Sequence, residues 1–456
     1  MAESSYDLVV IGSGPGGYVA AIRAAQLGMK TAVVETDRVG GRCLNYACIP
    51  AKAVLRVADI VSEIRDADEF GIKVAEPEID YEGVTARRTK VITTLTGGVA
   101  GLLKKNKVDV IEGFGRLDGG GTVTVGEQTI AAAKIVLATG SVKRPIPGAE
   151  FGGRVIGTEE AWALDALPAT LAVVGAGASG VEIASAYARL GSQVILLEAL
   201  ERVLPTEDAD ISKLAERGFK KQGITVHTGT LVTDIQSGEK SVTFTYGEES
   251  GEAEWLVIAA GRGPDVDGLG LEAAGVKVAE TGLIEVDGAM RTSADGIYAI
   301  GDLTAGPALA HKASDEGVIA VEDAAGMQTH PIEYIDVPRA TFCTPNVASF
   351  GLTEAQAREQ GHDVVVGKVQ YGAVGAGTVY GDRTGLVKIV GEKRYGELLG
   401  GHIIGAKATE LIQELVNAKA LEGGYPEIAH LVHGHPTMSE AVMEAARAAD
   451  GWLIHG

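Results

Sequence analysis

Short apolar runs that stop at a glycine recur along this chain: Leu8–Gly12, Ile135–Gly140, Leu171–Gly175, Leu256–Gly261 and Ile297–Gly301. Without polar alternation, such runs read as buried strands. After the first and third, the stretches YVAAIRAAQLG and GVEIASAYARLG read as helices, and AHKASDEGVIAVEDAAG reads as another from about His311. Strand, glycine turn, helix and strand repeat, and the expected fold class is α/β.

The first repeat places Gly12, Gly14 and Gly17 in the pattern G-x-G-x-x-G, and its second strand ends at Glu35, 23 residues after Gly12. The other repeat carries Gly175, Gly177 and Gly180, with Glu198 again 23 residues after the first glycine. The first glycine permits the turn, the second lets backbone approach a pyrophosphate, and the third lets helix pack on strand. The acid accepts hydrogen bonds from a ribose diol. Two units of equal spacing predict two dinucleotides. A carboxylate at Glu198 repels a 2′-phosphate, so NAD is expected over NADP, and Arg202 is read as a structural or surface residue. Asp302 closes the run through Ile297 either as a polar stop or as a carboxylate for the polyol chain of a flavin, whose adenine half would occupy the first cradle. The N-terminus of the following helix suits an anionic ring.

With 456 residues the chain exceeds one compact core, and about three domains are expected. Its 46% hydrophobic and 22% charged residues fit a folded protein, and no run of 18 apolar residues predicts a membrane span. MAESS enters the first apolar run without a basic region or cleavage site, so a cytoplasmic location is expected. A net charge of −21 argues against nucleic acid as a partner. The 63 glycines imply many tight turns.

Two of three cysteines, Cys43 and Cys48, stand five apart in GGRCLNYACIP. Five residues of regular helix rise about 7.5 Å, beyond the usual disulfide span, so a bridge needs a distorted segment. The enclosed loop is too small to stabilise much through chain entropy. Zinc would need two further ligands, and Cys343 stands alone, read as buried filler. On spacing alone a redox dithiol, half a metal site and a staple all remain open.

GGRCLNYACIPAK, the AHKASDEG of Ala310–Gly317 and the HGHPTMSE of His433–Glu440 together resemble the dihydrolipoyl dehydrogenase family, among the pyridine nucleotide-disulfide oxidoreductases. The resemblance spans nearly the whole chain. It implies two Rossmann-like domains, for FAD and NAD, plus a C-terminal α+β interface domain: 1–147 and 269–337 for FAD, 148–268 for NAD, and 338–456 for dimerisation. It makes Cys43 the sulfur that exchanges with substrate and Cys48 the one beside the flavin, with Lys52 near the reactive flavin nitrogen and Glu182 as its ionic partner. Thr139, Gly140, Asp302, Ala310 and His311 join Gly12, Gly14, Gly17 and Glu35 on the FAD side. Gly261 joins Gly175, Gly177, Gly180, Glu182 and Glu198 on the NAD side. No metal is implied. An imidazole has a suitable pKa for taking a thiol proton, and a carboxylate can orient it; by the resemblance these are His435 and Glu440, contributed by the partner subunit of a homodimer.

The implied reaction is oxidation of protein-bound dihydrolipoamide with NAD as acceptor. The partner would be the lipoylated acyltransferase or carrier protein of a 2-oxo acid dehydrogenase or glycine-cleavage system. A relative acting on another disulfide and a non-catalytic flavoprotein subunit are the rival readings. Arg42, Ala47, Ala51, Ala178 and Ser179 depart from the family pattern, which bears on redox poise and substrate range.

Overall fold

The computed structural model describes residues 4–119 and 121–456. The first three residues of the expected 1–147 segment, and residue 120 within it, lie outside the described residues. The chain divides into two compact units. One comprises the chain to Ala53, Glu82–Arg144 and Gly261–Tyr334, the other Val54–Tyr81, Pro145–Ala260 and Ile335–Gly456.

Among the described residues, the first unit is built on a seven-stranded sheet. Its parallel part runs in the order Asp109–Glu112, Thr31–Glu35, Ser4–Ile11, Gln128–Leu137, with Ile297–Ala299 joining the last of these. The first strand is central, and Leu8, Val9, Val10 and Ile11 are buried, which accounts for the lack of polar alternation there. Helix Pro15–Gln26 begins with proline in its first turn, where no intrahelical donor is lost. It packs on helix Ala310–Ala324 at very short range: a Cβ at Gly317 would lie 2.7 Å from the Gly16 carbonyl oxygen. Arg23 Nε donates to Glu322 Oε1 at 2.9 Å and fixes the pair's register.

The second unit holds a five-stranded parallel sheet in the order Thr225–His227, Gln193–Leu197, Thr170–Val174, Trp255–Ile258, Val155–Gly157, and a three-stranded antiparallel meander from Val232 to Ala253. It also holds an antiparallel five-stranded sheet, Arg339–Thr341, Val347–Gly351, Leu398–Ile404, Leu386–Glu392, Val364–Gln370. Each five-stranded sheet has its own hydrophobic core, the antiparallel one closed by helices Ala408–Ala420 and Glu440–Ala449. Lys388, only 3% exposed, crosses from the antiparallel sheet to Asp208 at the start of helix Ala209–Lys221. No helix among the described residues is long and apolar enough to cross a membrane.

Candidate active site

The two glycine cradles have nearly the same construction. Gly12 and Gly175 both sit at φ +101°, a left-handed conformation that favours glycine. A Cβ at Gly17 would lie 1.9 Å from the Gly12 carbonyl oxygen, and one at Gly180 would lie 1.8 Å from that of Gly175. These third glycines are demanded by packing. Gly14 and Gly177 are different: a Cβ on either would meet no described atom within 4 Å. The protein itself leaves that space open, as close approach by a ligand requires.

The acids are placed alike as well. Glu35 is buried, its Oε2 accepting the Ser13 N–H at 2.9 Å and its Oε1 the Asp37 N–H at 2.9 Å. Glu198 accepts the Ala176 N–H at 2.6 Å and the Leu200 N–H at 2.9 Å. Glu35 Oε2 also accepts the Ser13 hydroxyl at 2.5 Å, so its Oε1 and both Glu198 oxygens are the atoms that keep a further lone pair for a ribose hydroxyl. Arg202 donates to the Pro205 carbonyl at 3.0 Å, a local structural bond. Ala178 and Ser179 are exposed in the first turn of helix Ala178–Leu190. On the same helix Glu182 is buried, and its Oε1 accepts the Phe342 N–H at 2.8 Å.

In the first unit a cleft opens along the carboxyl ends of the parallel strands. Gly12, Gly14, Glu35, Thr139, Gly140, Asp302 and Ala310 line it, and so do Arg42, Cys43 and Cys48. Gly17 lies in the packing beneath, Lys52 follows one turn after Cys48, and His311 is exposed at the start of its helix. Gly261 opens the last segment of this unit, where the Arg144 N–H reaches its carbonyl at 3.3 Å.

The cysteine segment is not one regular helix. Helix Gly41–Asn45 ends before Tyr46, and a new helix begins at Cys48. The break brings the sulfurs together: the three cysteines are thiols in this structure, and Cys43 is hydrogen-bonded to Cys48. That bond, then burial, pushes the Cys43 thiol well above its ordinary range, against the lowering charges of Lys52 and Arg42. The Cys43 thiol therefore holds its proton in this arrangement. The segment is seated on the glycine loop itself. A Cβ at Gly41 would lie 2.7 Å from the Gly14 Cα, the Gly40 N–H donates to Ser13 Oγ at 3.1 Å, and Asn45 donates to the Gly41 carbonyl at 2.9 Å. Ala51 is buried, and its N–H donates to Ala47. Cys343 is fully buried in the second unit.

A second hydrogen-bond chain orients Asp302. Arg262 Nε donates to Ser141 Oγ at 2.9 Å, and that hydroxyl donates to Asp302 Oδ2 at 2.5 Å. Thr139 Oγ1 donates to the Asp265 carbonyl at 2.6 Å, and the Asp265 N–H to Gly140 at 2.9 Å. Ser13, Ser141 and Arg262 were missed from the sequence. Ser13 had a signal, since it lies between two of the motif's glycines; Ser141 and Arg262 are 121 residues apart and had none.

His435 and Glu440 stand in the second unit. His435 Nδ1 lies 2.9 Å from Glu440 Oε1, and the Thr437 N–H donates to Glu440 Oε2 at 2.8 Å. Burial opposes ionisation of Glu440, but the Thr437 N–H, the His435 bond and the nearby charges of His435 and His455 outweigh it and hold the carboxyl below its usual range. An anion on Nδ1 selects the tautomer whose Nε2 is the acceptor, and the His435 side chain is 75% exposed. Among the described residues no cluster of His, Cys, Asp and Glu could hold a metal ion.

Residues 6–317 match the family described as pyridine nucleotide-disulphide oxidoreductase, and residues 337–446 match its dimerisation domain. The chain is 42% identical over 477 residues to a dihydrolipoyl dehydrogenase of Bacillus subtilis, and 44% identical over 461 residues to one of Mycobacterium tuberculosis, with 99% of each chain covered in both cases. Among solved structures, LpdA from Mycobacterium tuberculosis is similar at TM-score 0.90 and 28% identity, covering 97% of this chain and 99% of that one. The flavoprotein disulfide reductase RclA from Escherichia coli, as a Cu(II) complex, is similar at TM-score 0.88 and 28% identity over 98% of this chain and 99% of that one. With glycine cradle and dithiol on one cleft and both matches end to end, the chain belongs to the pyridine nucleotide-disulphide oxidoreductase family.

Proposed function

We propose that this protein is a dihydrolipoyl dehydrogenase, oxidising protein-bound dihydrolipoamide with NAD as the final acceptor. The observation that carries the reading is the position of Cys43 and Cys48, hydrogen-bonded to one another on the wall of the cleft that also holds the first glycine cradle. FAD fits that cleft: the open space at Gly14, the braced carboxylate of Glu35 and the oriented Asp302 answer to pyrophosphate, ribose and polyol in turn. Bound there, FAD supplies a two-electron relay between dithiol and nicotinamide.

The chain's own residues do the rest. In the oxidised state Cys43 and Cys48 share a disulfide. His435 Nε2 takes the proton of the incoming thiol, and the resulting thiolate attacks Cys43 Sγ. The bond between Cys43 and Cys48 breaks, and Cys48 leaves as a thiolate. The second substrate thiol then displaces Cys43, which leaves with a proton, and lipoamide departs with its disulfide closed. Glu440 stabilises the imidazolium formed at the first step. The hydrogen bond between Cys43 and Cys48, with the Cys43 thiol pushed up, fits a product in which Cys43 keeps its proton. Lys52 is assigned to the flavin's reactive nitrogen and Glu182 to pairing with it; Gly177 and Glu198 are assigned to NAD.

The family resemblance supports His435 of the partner subunit as the base for each site, a lipoylated acyltransferase or carrier protein as substrate, and the cytoplasm as location. It also supports the assignment of 1–147 and 269–337 to FAD, 148–268 to NAD and 338–456 to the dimer contact. The test is an assay of NADH formation by the FAD-loaded protein with dihydrolipoamide, beside other small dithiols and disulfides. Turnover fastest with dihydrolipoamide is expected. Turnover with another disulfide alone would favour the related-reductase reading.

A further inference from the structure

Lys312 and Glu316 stand one turn apart on helix Ala310–Ala324, and both side chains are 0% exposed. Lys312 Nζ lies 3.2 Å from Glu316 Oε1 and also donates to the Gly301 carbonyl at 2.9 Å and to Thr304 Oγ1 at 3.3 Å. All three ammonium protons have acceptors. Glu316 Oε2 takes the Gly301 N–H at 2.7 Å, and its Oε1 also takes the Tyr334 hydroxyl. Both backbone polar groups of Gly301, a residue in left-handed conformation at φ +72°, therefore end on this one ion pair.

Stability does not account for the pair. A buried ion pair roughly breaks even against apolar side chains of similar volume, because desolvation offsets the attraction. That penalty is visible here: burial pushes the Glu316 carboxyl up, against Lys312, Tyr334 and the Gly301 N–H, which all favour its anion. What the pair does achieve is geometric. Gly301 is followed by Asp302, whose carboxylate lines the cleft, and Ala310 and Ala313, on the first turn of the helix, line it too. Lys312 and Glu316 are not among the lining residues, yet they tie the acid-bearing turn to the helix N-terminus from behind.

We infer that Lys312 and Glu316 are positioning residues for the flavin, holding Asp302 and the first turn of helix Ala310–Ala324 in the one arrangement that lets both meet the same bound molecule. The inference rests on the reading of this cleft as the FAD site. A carboxylate for a polyol and a helix end for a ring must be placed together to within a fraction of an ångström for both contacts to form at once. An apolar pair of similar volume would fill the space without fixing the Gly301 backbone, and its two polar groups would then let the turn move.

The test is Lys312→Met with Glu316→Leu in the same chain. FAD is removed, and rebinding is followed by flavin fluorescence and by visible circular dichroism of the bound flavin. The apoprotein is expected to fold and to melt somewhat below wild type, since the apolar pair avoids the desolvation of the ions but leaves the Gly301 N–H and the Tyr334 hydroxyl without their partner. FAD affinity is expected to fall about ten-fold, the scale of one misplaced polar contact, with an altered dichroism spectrum. Wild-type affinity and spectrum in the double variant, while wild type binds one FAD per chain, would overturn this inference alone. A wild-type protein that binds no FAD would overturn the reading of the cleft and this inference with it. Should the double variant not fold, Tyr334→Phe decides: it removes one hydrogen bond from Glu316 and leaves the ion pair, so affinity should fall by a few-fold, and no change would overturn the proposal.

Discussion

Glu198 is a brace in the structure and, in the proposed reading, the group that recognises the NAD ribose. Its two oxygens hold the Ala176 and Leu200 N–H groups, which fixes the carboxylate at the strand end where a ribose diol would meet it. A 2′-phosphate placed there meets a buried negative charge. Glu198→Ala should therefore narrow the preference for NAD over NADP, chiefly by improving kcat/KM for NADP; equal values for the two cofactors in wild type would contradict this. For His435 the proposed role is proton transfer. His435→Gln should lower dihydrolipoamide turnover by about 10²-fold or more, the usual scale for removing a general base. Electron flow from NADH to an artificial flavin acceptor should persist, and loss of both activities together would point to misfolding. The two acids and the imidazole were legible in the sequence because each sits at a short, fixed distance from a recognisable turn. The bonds that orient Asp302 were not, since Ser141 and Asp302 are 161 residues apart and meet only when the sheet is assembled.

At the scale of the element, the glycines of one motif do different jobs. Gly177 has an ordinary φ of −72° and open space around it, whereas Gly180 touches the turn beneath. Gly177→Ala should leave the melting temperature near wild type and, if the open space there takes the pyrophosphate as proposed, raise the KM for NAD about ten-fold or more, because the added methyl would occupy it. Gly180→Ala should destabilise the protein outright. Equal stability losses in the two variants would show that Gly177 has a packing role after all. Equal spacing made both cradles legible, but the break of the cysteine segment at Tyr46 was not, since no proline or glycine marks it between Cys43 and Cys48.

The Lys388 cluster gives a pH dependence. Lys388 donates to Asp208 at 2.8 Å and Asp210 at 2.8 Å and pairs with Glu354 at 2.9 Å. Burial raises the Asp210 carboxyl, but Lys368 and Lys388 outweigh it and hold the group down to about 2, with Asp208 and Glu354 also below their ordinary range. Carboxylates depressed in the folded state stabilise it above their unfolded pKa and lose that contribution as pH falls through the folded value. The wild-type unfolding midpoint should thus decline between about pH 4 and pH 2. Lys388→Met should lower stability at neutral pH by on the order of 3 kcal/mol and flatten that acid decline. An unchanged slope in the variant would remove Lys388 from the account. No local spacing announced this cluster, whose members lie up to 180 residues apart.

For the whole molecule, the match of residues 337–446 to a dimerisation domain supports a homodimer. If each site takes Cys43 from one subunit and His435 from the other, a Cys43→Ser homodimer and a His435→Gln homodimer, both inactive, should recover about a quarter of wild-type activity after random subunit exchange. No recovery despite demonstrated exchange would refute a shared site. In the proposed reaction Cys43 and Cys48 open and close with each turnover. Anaerobic alkylation of the FAD-loaded protein, located by mass spectrometry, reads this before reduction, after one equivalent of dihydrolipoamide, and after addition of NAD. Both cysteines should be protected at first, become labelled after dihydrolipoamide, and be protected again after NAD, while Cys343 stays buried throughout. Labelling of Cys43 and Cys48 that is the same in all three states, in a protein that still turns over, would contradict it.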